Sequence, residues 1–156
     1  MIIQATAKDF AALLRSQPPR DLQLVPDSAI APPEVLAMLG NLAAGISPSF
    51  APAAWLIVEA GEVVGLCSIV RTPRDGDLPI GYGIAPTRQG AGAATRAVAA
   101  LVAWARTDPR VRRLSAETAT DNLPSQKVLA RNGFASVGER VDPEDGPLIQ
   151  WALDVA

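Results

Sequence analysis

The stretch Gly81-Tyr-Gly-Ile-Ala-Pro-Thr-Arg-Gln-Gly-Ala-Gly-Ala-Ala-Thr95 decides how this chain is read. A short apolar strand runs into a glycine-rich loop, and the loop opens an alanine-rich helix. The first N–H groups of a helix have no intrahelical partner and carry the positive end of its dipole. Such a start is a seat for a phosphate or pyrophosphate. Gly90, Gly92 and Ala94 remove side-chain bulk where a ligand would approach the backbone. The expectation is a phosphorylated cofactor bound here; tight helix–strand packing is the purely structural alternative.

Upstream of this stretch, Ala54–Ala60 and Val63–Val70 are β-rich runs joined by Gly61-Glu62, a glycine-first pair suited to a type II′ hairpin. Asp77–Ala85 makes a third consecutive strand, and Pro79 argues for a disturbed or edge-like start to it. Met1–Ala5 reads as a strand, Thr6 as the cap of a helix over Ala7–Arg15, and Pro33–Leu42 as a second helix. Downstream, a helix from Ala91 to Arg106 leads to a strand over Val111–Ala119, parallel to its predecessor because a helix crosses between them. Asn122 caps a short helix over Leu123–Asn132, and Gly133 stops it in the left-handed manner. Phe134–Val141 and Leu148–Val155 close the chain as a hairpin. The order βαα-βββ-αβα-ββ describes one mixed α/β domain over residues 1–156, with a mainly antiparallel sheet and one βαβ step.

Composition narrows the chemistry. Apolar residues make up 49% and charged residues 19%, as in a globular protein, and a net charge of −2 supplies no field to recruit nucleic acid. The basic cluster Arg106, Arg110, Arg112 and Arg113 flanks a helix end, where cations suit the dipole. The single cysteine, Cys67, lies in an apolar run and reads as a small buried hydrophobe. Histidine is absent, which rules out Ser-His-Asp and Cys-His arrangements, histidine zinc sites and a histidine base. No metal site is expected. The N-terminus lacks the cationic and apolar segments of a signal peptide, and the apolar run Ala97–Ala105 falls well short of the roughly 20 residues a membrane span needs. A cytoplasmic location is the expectation.

Three glycine-rich designs bind phosphates through backbone N–H groups. A Walker A loop needs Gly-Lys-Ser/Thr, and no lysine is near. A dinucleotide fold needs a third glycine where Thr95 stands, and more chain after Glu117 than remains. The third design fits. Gln89-Gly-Ala-Gly-Ala-Ala94 resembles the Gln/Arg-x-x-Gly-x-Gly/Ala signature of the GNAT acetyltransferases, which bind acetyl-coenzyme A. The resemblance extends upstream through Gly81-Tyr82 and downstream through Asn122-x-x-Ser125 to Gly133-Phe134, and is similar to the branch containing the ribosomal-protein N-terminal acetyltransferases.

That resemblance implies that N–H groups from Gln89 through Gly90, Ala91, Gly92, Ala93, Ala94 and Thr95 hold the coenzyme pyrophosphate. It implies that the pantetheine arm pairs with Ile84, Ala85 and Pro86, where a bulge in the strand parts it from the next one and an N–H near Ile84 polarises the thioester carbonyl. It also implies that Asn122 touches the arm, that Ser125 protonates the departing thiolate, and that Lys127 and Arg131 reach toward the 3′-phosphate. Asn122 equally suits a plain helix cap and Ser125 a first-turn residue.

The implied reaction is direct attack of a primary amine on acetyl-coenzyme A, with both bound at once. An amine of pKa about 10.4 is neutral in only about one molecule in 10³ at pH 7, so removing its proton is worth machinery, and without histidine a carboxylate is the natural base. Many relatives carry a glutamate two residues before the Gly-Tyr pair, where this chain has Pro79. Glu117 ranks first among the remaining candidates and Asp77 second; a salt bridge and a solvated turn are their plainer readings. A non-catalytic acyl-coenzyme A-binding module on the same fold is the alternative. Acceptor recognition is expected from the two N-terminal helices, the loop near Phe50 and the final hairpin. Trp55, Tyr82, Trp104 and Trp151 read as core or interface residues. A monomer or homodimer is expected, with nucleic acid entering only as a tRNA-linked substrate.

Overall fold

The computed structural model describes residues 1–26 and 28–156. The chain opens with β1 (Ile2–Gln4) and α1 (Ala7–Leu14), whose start is fixed by a reciprocal capping box between Thr6 and Asp9. A two-residue strand β2 (Gln23–Leu24) and the helix α2 (Pro33–Ile46) follow. Three strands, β3 (Ala54–Glu59), β4 (Glu62–Ile69) and β5 (Asp77–Ile84), then form an antiparallel run. A 3-10 turn over Pro86–Arg88 leads into α3 (Ala93–Thr107), which crosses to β6 (Arg113–Ala119), parallel to β5. After α4 (Leu123–Arg131), the hairpin β7 (Ala135–Asp142) and β8 (Gly146–Asp154) closes the sheet in the order β1-β3-β4-β5-β6-β8-β7. The expected mixed α/β architecture, mostly antiparallel with a βαβ step at β5-α3-β6, is the observed one.

Each face of the sheet carries its own core. Cys67, Ile69, Leu78, Ile80 and Leu114 face α3, which presents the fully buried Ala97, Val98 and Leu101. Leu56, Val58 and Leu66 on the other face pack against Phe10, Leu13 and Leu36 of α1 and α2. Alternation along each strand supplies both faces at once.

Several boundaries depart from expectation for identifiable reasons. The β3–β4 turn uses Ala60 and Gly61, both at positive φ (50° and 76°), rather than Gly61-Glu62. Two left-handed residues make a type I′ turn, whose twist matches the strands and leaves Glu62 to pair with Glu59. The helix α2 runs through Gly40 and Gly45 to Ile46 instead of ending at Leu42. A Cβ on Gly40 would stand 3.3 Å from the Phe10 ring, so this glycine serves helix–helix approach and not a stop. β2 was not foreseen; two residues carry no periodic pattern, and β4 draws them into a short parallel pair. Pro79 lies in an interior strand between β4 and β6, not at an edge.

Candidate functional site

The site begins where β5 leaves β6. Asp77, Leu78 and Pro79 pair with Arg113, Leu114 and Ser115, and there the parallel ladder ends. On the other side, β5 stays in unbroken register with β4 through Ile84. The strands therefore part without the bulge that the resemblance implied. The Pro79 carbonyl accepts from the Val70 N–H at 2.9 Å and the Ala85 N–H donates to Val64 at 2.7 Å, both on the β4 side. In an antiparallel strand the intervening residues face the opposite way, so Tyr82 and Ile84 turn backbone groups into the split. The Ile84 carbonyl is engaged by Gln89 Nε2 at 3.0 Å.

The glycine loop closes the split. Gly90 and Gly92 both take left-handed backbone, at φ 81° and 83°, and α3 starts at Ala93 rather than Ala91, with Gly92 as its cap. Among the described residues, no acceptor meets the main-chain N–H groups from Gln89 to Thr95; the first satisfied one is Arg96, which donates to the Gly92 carbonyl at 3.0 Å. Two ion pairs tie the loop to the β3–β4 turn. Arg88 bonds Glu62 at 2.7 Å and Arg96 bonds Glu59 at 2.6 Å.

The amino end of α4 forms the facing wall. Asn122 Oδ1 accepts from the Ser125 N–H at 3.2 Å and so caps the helix. The Ser125 hydroxyl lies 2.8 Å from the Tyr82 hydroxyl. Burial raises the Tyr82 pKa, against a smaller opposing effect of the Ser125 hydrogen bond, and the phenol stays neutral at physiological pH. The sequence reads Tyr82 as a core or interface residue and as part of the Gly81-Tyr82 motif, but not as the partner of Ser125, which is 43 residues away. Together these groups enclose a cleft of about 530 Å³ lined also by Ile84, Thr95, Lys127 and Arg131. Ala85, Pro86 and Ala91 were expected at the cofactor and do not line this cleft. Ala85 is fully buried with its N–H on Val64, and Pro86 has no N–H to offer.

An open row of amides thus stands at a helix start, at the end of a split strand. The acetyltransferase (GNAT) domain profile matches residues 1–135. The chain belongs to the GNAT acetyltransferase family. RimL, a ribosomal L7/L12 α-N-protein acetyltransferase solved with coenzyme A, superposes with a TM-score of 0.74 at 18% identity, over 99% of this chain and 93% of that one. RimJ of Mycobacterium smegmatis, solved with a coenzyme A disulfide, gives 0.70 at 22% identity over 98% and 80%. The aminoglycoside acetyltransferase AAC(6′)-Ib with coenzyme A gives 0.67 at 18% over 99% and 94%. No curated protein matches the chain in sequence.

On the α1–α2 face of this GNAT sheet, a second cavity of about 380 Å³ opens beside Pro79 and Gly81. Glu117 stands in it, two residues beyond Ser115, the last β6 residue paired with β5. Both of its oxygens accept from Arg140, Oε1 from Nη2 at 2.8 Å, and Arg71 lies 3.9 Å away. The Arg140 hydrogen bonds hold the Glu117 pKa below its ordinary value, against the effect of burial. The first-ranked base is therefore engaged as an ion-pair partner and weakened as a proton acceptor. Asp77 shares the cavity, and its Oδ1 is buried without a hydrogen-bond partner, as is the neighbouring Ser115 Oγ.

Several other residues take structural roles. Phe50 is buried edge-on to Trp104 and beneath the Arg110 guanidinium, 4.0 Å from its ring, so its side chain belongs to the core. Arg110 also binds Asp108, a structural role. Trp55 packs on Trp104 at 5.1 Å, and Trp151 donates to Thr118. Cys67 is buried, and desolvation lifts its thiol to about 12. Among the described residues no helix is long and apolar enough to cross a membrane.

Proposed function

We propose that this chain is an N-acetyltransferase that moves the acetyl group of acetyl-coenzyme A to a primary amine by direct attack, with both substrates bound at once. The observation that carries this reading is the row of unpaired amides from Gln89 to Thr95 at the mouth of the cleft that reaches Ser125. Backbone donors at the positive end of α3 suit a diphosphate, and Lys127 and Arg131 suit a further phosphate. Asn122 orders the α4 start beside the pantetheine arm. The free N–H groups of Tyr82 and Ile84 in the split suit the arm and the thioester carbonyl, a role of oxyanion donors.

Acetyl-coenzyme A supplies the activated acyl group. Ser125, hydrogen-bonded to Tyr82, gives its proton to the departing thiolate and recovers one through the Tyr82 hydroxyl. Asp77 takes the amine proton through water, because its Oδ1 is the buried carboxylate oxygen left without a partner in the cavity of about 380 Å³ beside Pro79 and Gly81. Glu117 keeps Arg140 and Arg71 in place at the mouth. The domain spans 1–156, works in the cytoplasm as a monomer or homodimer, and meets RNA only where an aminoacyl-tRNA is the acceptor.

A second reading has its own observation: with Pro79 where relatives carry an acid and Glu117 held by Arg140, the fold could serve as an acyl-coenzyme A-binding module. Calorimetry with coenzyme A and thiol release from acetyl-coenzyme A over a panel of amines separate the two. Binding with turnover supports the enzyme, and binding with no turnover supports the module. No binding at all refutes both.

A further inference from the structure

The small cavity between α2 and the β4–β5 pair has a chemistry of its own. It measures about 240 Å³, and Ile30, Val35, Leu39, Leu66 and Val70 make its walls. Its floor is Gly81 and Gly83, the residues that follow the point where β5 leaves β6. A Cβ on Gly83 would meet nothing within 4 Å, so the pocket is open directly over that strand. Among the described residues no acidic or basic side chain lines it, and the phenol of Tyr82, whose residue also borders it, is neutral.

One polar group breaks the apolar lining. Ser68 is 5% exposed, lies directly opposite Gly81 in the β4–β5 register, and its Oγ has no hydrogen-bond partner. A buried hydroxyl left unpaired is destabilising, and its position over the split is explained if a ligand completes it. The neighbouring cavity shares Val70 and Gly81 with this pocket and offers a second cation no excess of negative charge. Arg71, Arg113 and Arg140 there are matched against Asp77, Glu117 and Asp145.

We propose that this pocket is the acceptor subsite, that it takes a monoamine carried on a compact uncharged apolar group, and that Ser68 Oγ accepts a hydrogen bond from the attacking amine. The inference rests on the acetyltransferase reading above and deepens it. The apolar group lies against Val35 and Leu39, while the amine at Ser68 stands over Gly81 and Gly83, on the face of β5 opposite the Tyr82 side chain. The amine nitrogen forms the new bond to the acetyl carbon and its proton passes through water to Asp77, while the carbon–sulfur bond breaks and the sulfur leaves as the thiolate, which takes the Ser125 proton. Polyamines and aminoglycosides are excluded, because their further ammonium groups would be desolvated against apolar walls without a carboxylate partner.

The test compares isoamylamine, leucinamide, spermidine and kanamycin as acceptors, with coenzyme A affinity measured in parallel. The expected result is a kcat/KM for isoamylamine and leucinamide at least about tenfold above the two polycations. Ser68→Ala removes an orphaned hydroxyl, so it should fold at least as stably as the parent and bind coenzyme A equally. Its kcat/KM for isoamylamine should fall about 3- to 10-fold, the scale of one neutral hydrogen bond. Leu39→Glu should reverse the preference toward spermidine. Efficient acetylation of spermidine or kanamycin by the parent protein overturns this proposal and leaves the acetyltransferase reading standing. An unchanged kcat/KM in Ser68→Ala also overturns it. Silence from all four amines with coenzyme A bound overturns both.

Discussion

Gly92 is where backbone geometry, an ion pair and ligand charge meet, and its replacement can be reasoned through term by term. Its φ of 83° and ψ of 6° place it in the left-handed region, which a residue with a Cβ occupies at a cost of about 1–2 kcal/mol. A Cβ there would stand 2.8 Å from Arg96 Nη1, so the guanidinium must move away from Glu59, which it bonds at 2.6 Å and 2.8 Å. An exposed pair of this kind contributes about 0–1 kcal/mol. Gly92→Ala should thus lose roughly 1–3 kcal/mol and melt roughly 2–12 °C lower for a domain of this size. Gly90→Ala shares the left-handed strain but meets open space, so it should lose less. Gly92→Asp adds a negative charge at the proposed diphosphate seat. At about 4 Å and an effective dielectric between 80 and 20 the repulsion is about 1–4 kcal/mol per charge, or about 5- to 1000-fold in affinity. Gly92→Asn tolerates the same backbone with bulk and no charge, and isolates the electrostatic part. Thermal unfolding and calorimetric titration with coenzyme A read both quantities. A folded Gly92→Asp that binds like the parent would refute the placement of the diphosphate, and equal losses in Gly90→Ala and Gly92→Ala would refute the Arg96 contact.

Four further outcomes follow from the structure. Burial pushes the Asp9 pKa up, but hydrogen bonds from Arg20 and Thr6 outweigh it and leave the carboxyl below its ordinary value. A folded pKa below the unfolded one gives stability that is present above the unfolded value of about 3.9 and is lost as pH falls through the folded value. Asp9→Asn should therefore unfold in less urea at pH 7, by about 1–3 kcal/mol, with the gap closing below about pH 4. Ser125→Ala should lower kcat more than about tenfold with little change in coenzyme A affinity, and Tyr82→Phe should fall by less, as stopped-time thiol assays would show. Asp77→Asn should lose turnover at pH 7 and recover part of it at pH 9, where more of the amine is already neutral. Glu117→Gln should leave the acid limb of the pH–rate profile unmoved, because Arg140 keeps that carboxylate ionised across the working range.

What could be read from sequence was local. The Thr6 and Asn122 caps, the left-handed Gly133 at φ 87°, and the glycine loop each depend on neighbours within a turn of chain. Their chemistry is fixed before any tertiary contact forms. The misreadings share the opposite property. The second helix reads as ending at Leu42, four residues short of Ile46, and the reason Gly40 sits inside it, the Phe10 ring, lies on another helix. Phe50 marked only a loop because Trp104 and Arg110, which bury it, lie far along the chain. Glu117 looked like an available carboxylate because Arg140, which occupies it, is 23 residues on. Charge and aromatic content are legible without a fold, but the partner that converts a side chain from reactive to structural is not.

The strand β5 serves both faces of the site by alternation, and that arrangement depends on its register. Leu78, Ile80, Tyr82 and Ile84 pack toward α3 and α4, while Pro79, Gly81 and Gly83 lie under the acceptor side. A one-residue slip would exchange the two sets, moving Tyr82 away from Ser125 and filling the acceptor pocket with an aromatic ring. Gly65 pins the register, because a Cβ there would run into the Gly83 carbonyl, which belongs to backbone and cannot swing aside. Gly65→Ala must therefore push β4 and β5 apart, and should lose both stability and coenzyme A binding. Gly83→Ala meets open space in an ordinary strand conformation, so it should be as stable as the parent or more stable by up to about 1 kcal/mol through the restricted unfolded chain. Its methyl group would stand in the acceptor pocket, so KM for the amine should rise. Unfolding curves and acceptor kinetics on the two variants decide the matter: a stable Gly65→Ala with normal coenzyme A affinity would mean that the close strand approach does not set the site.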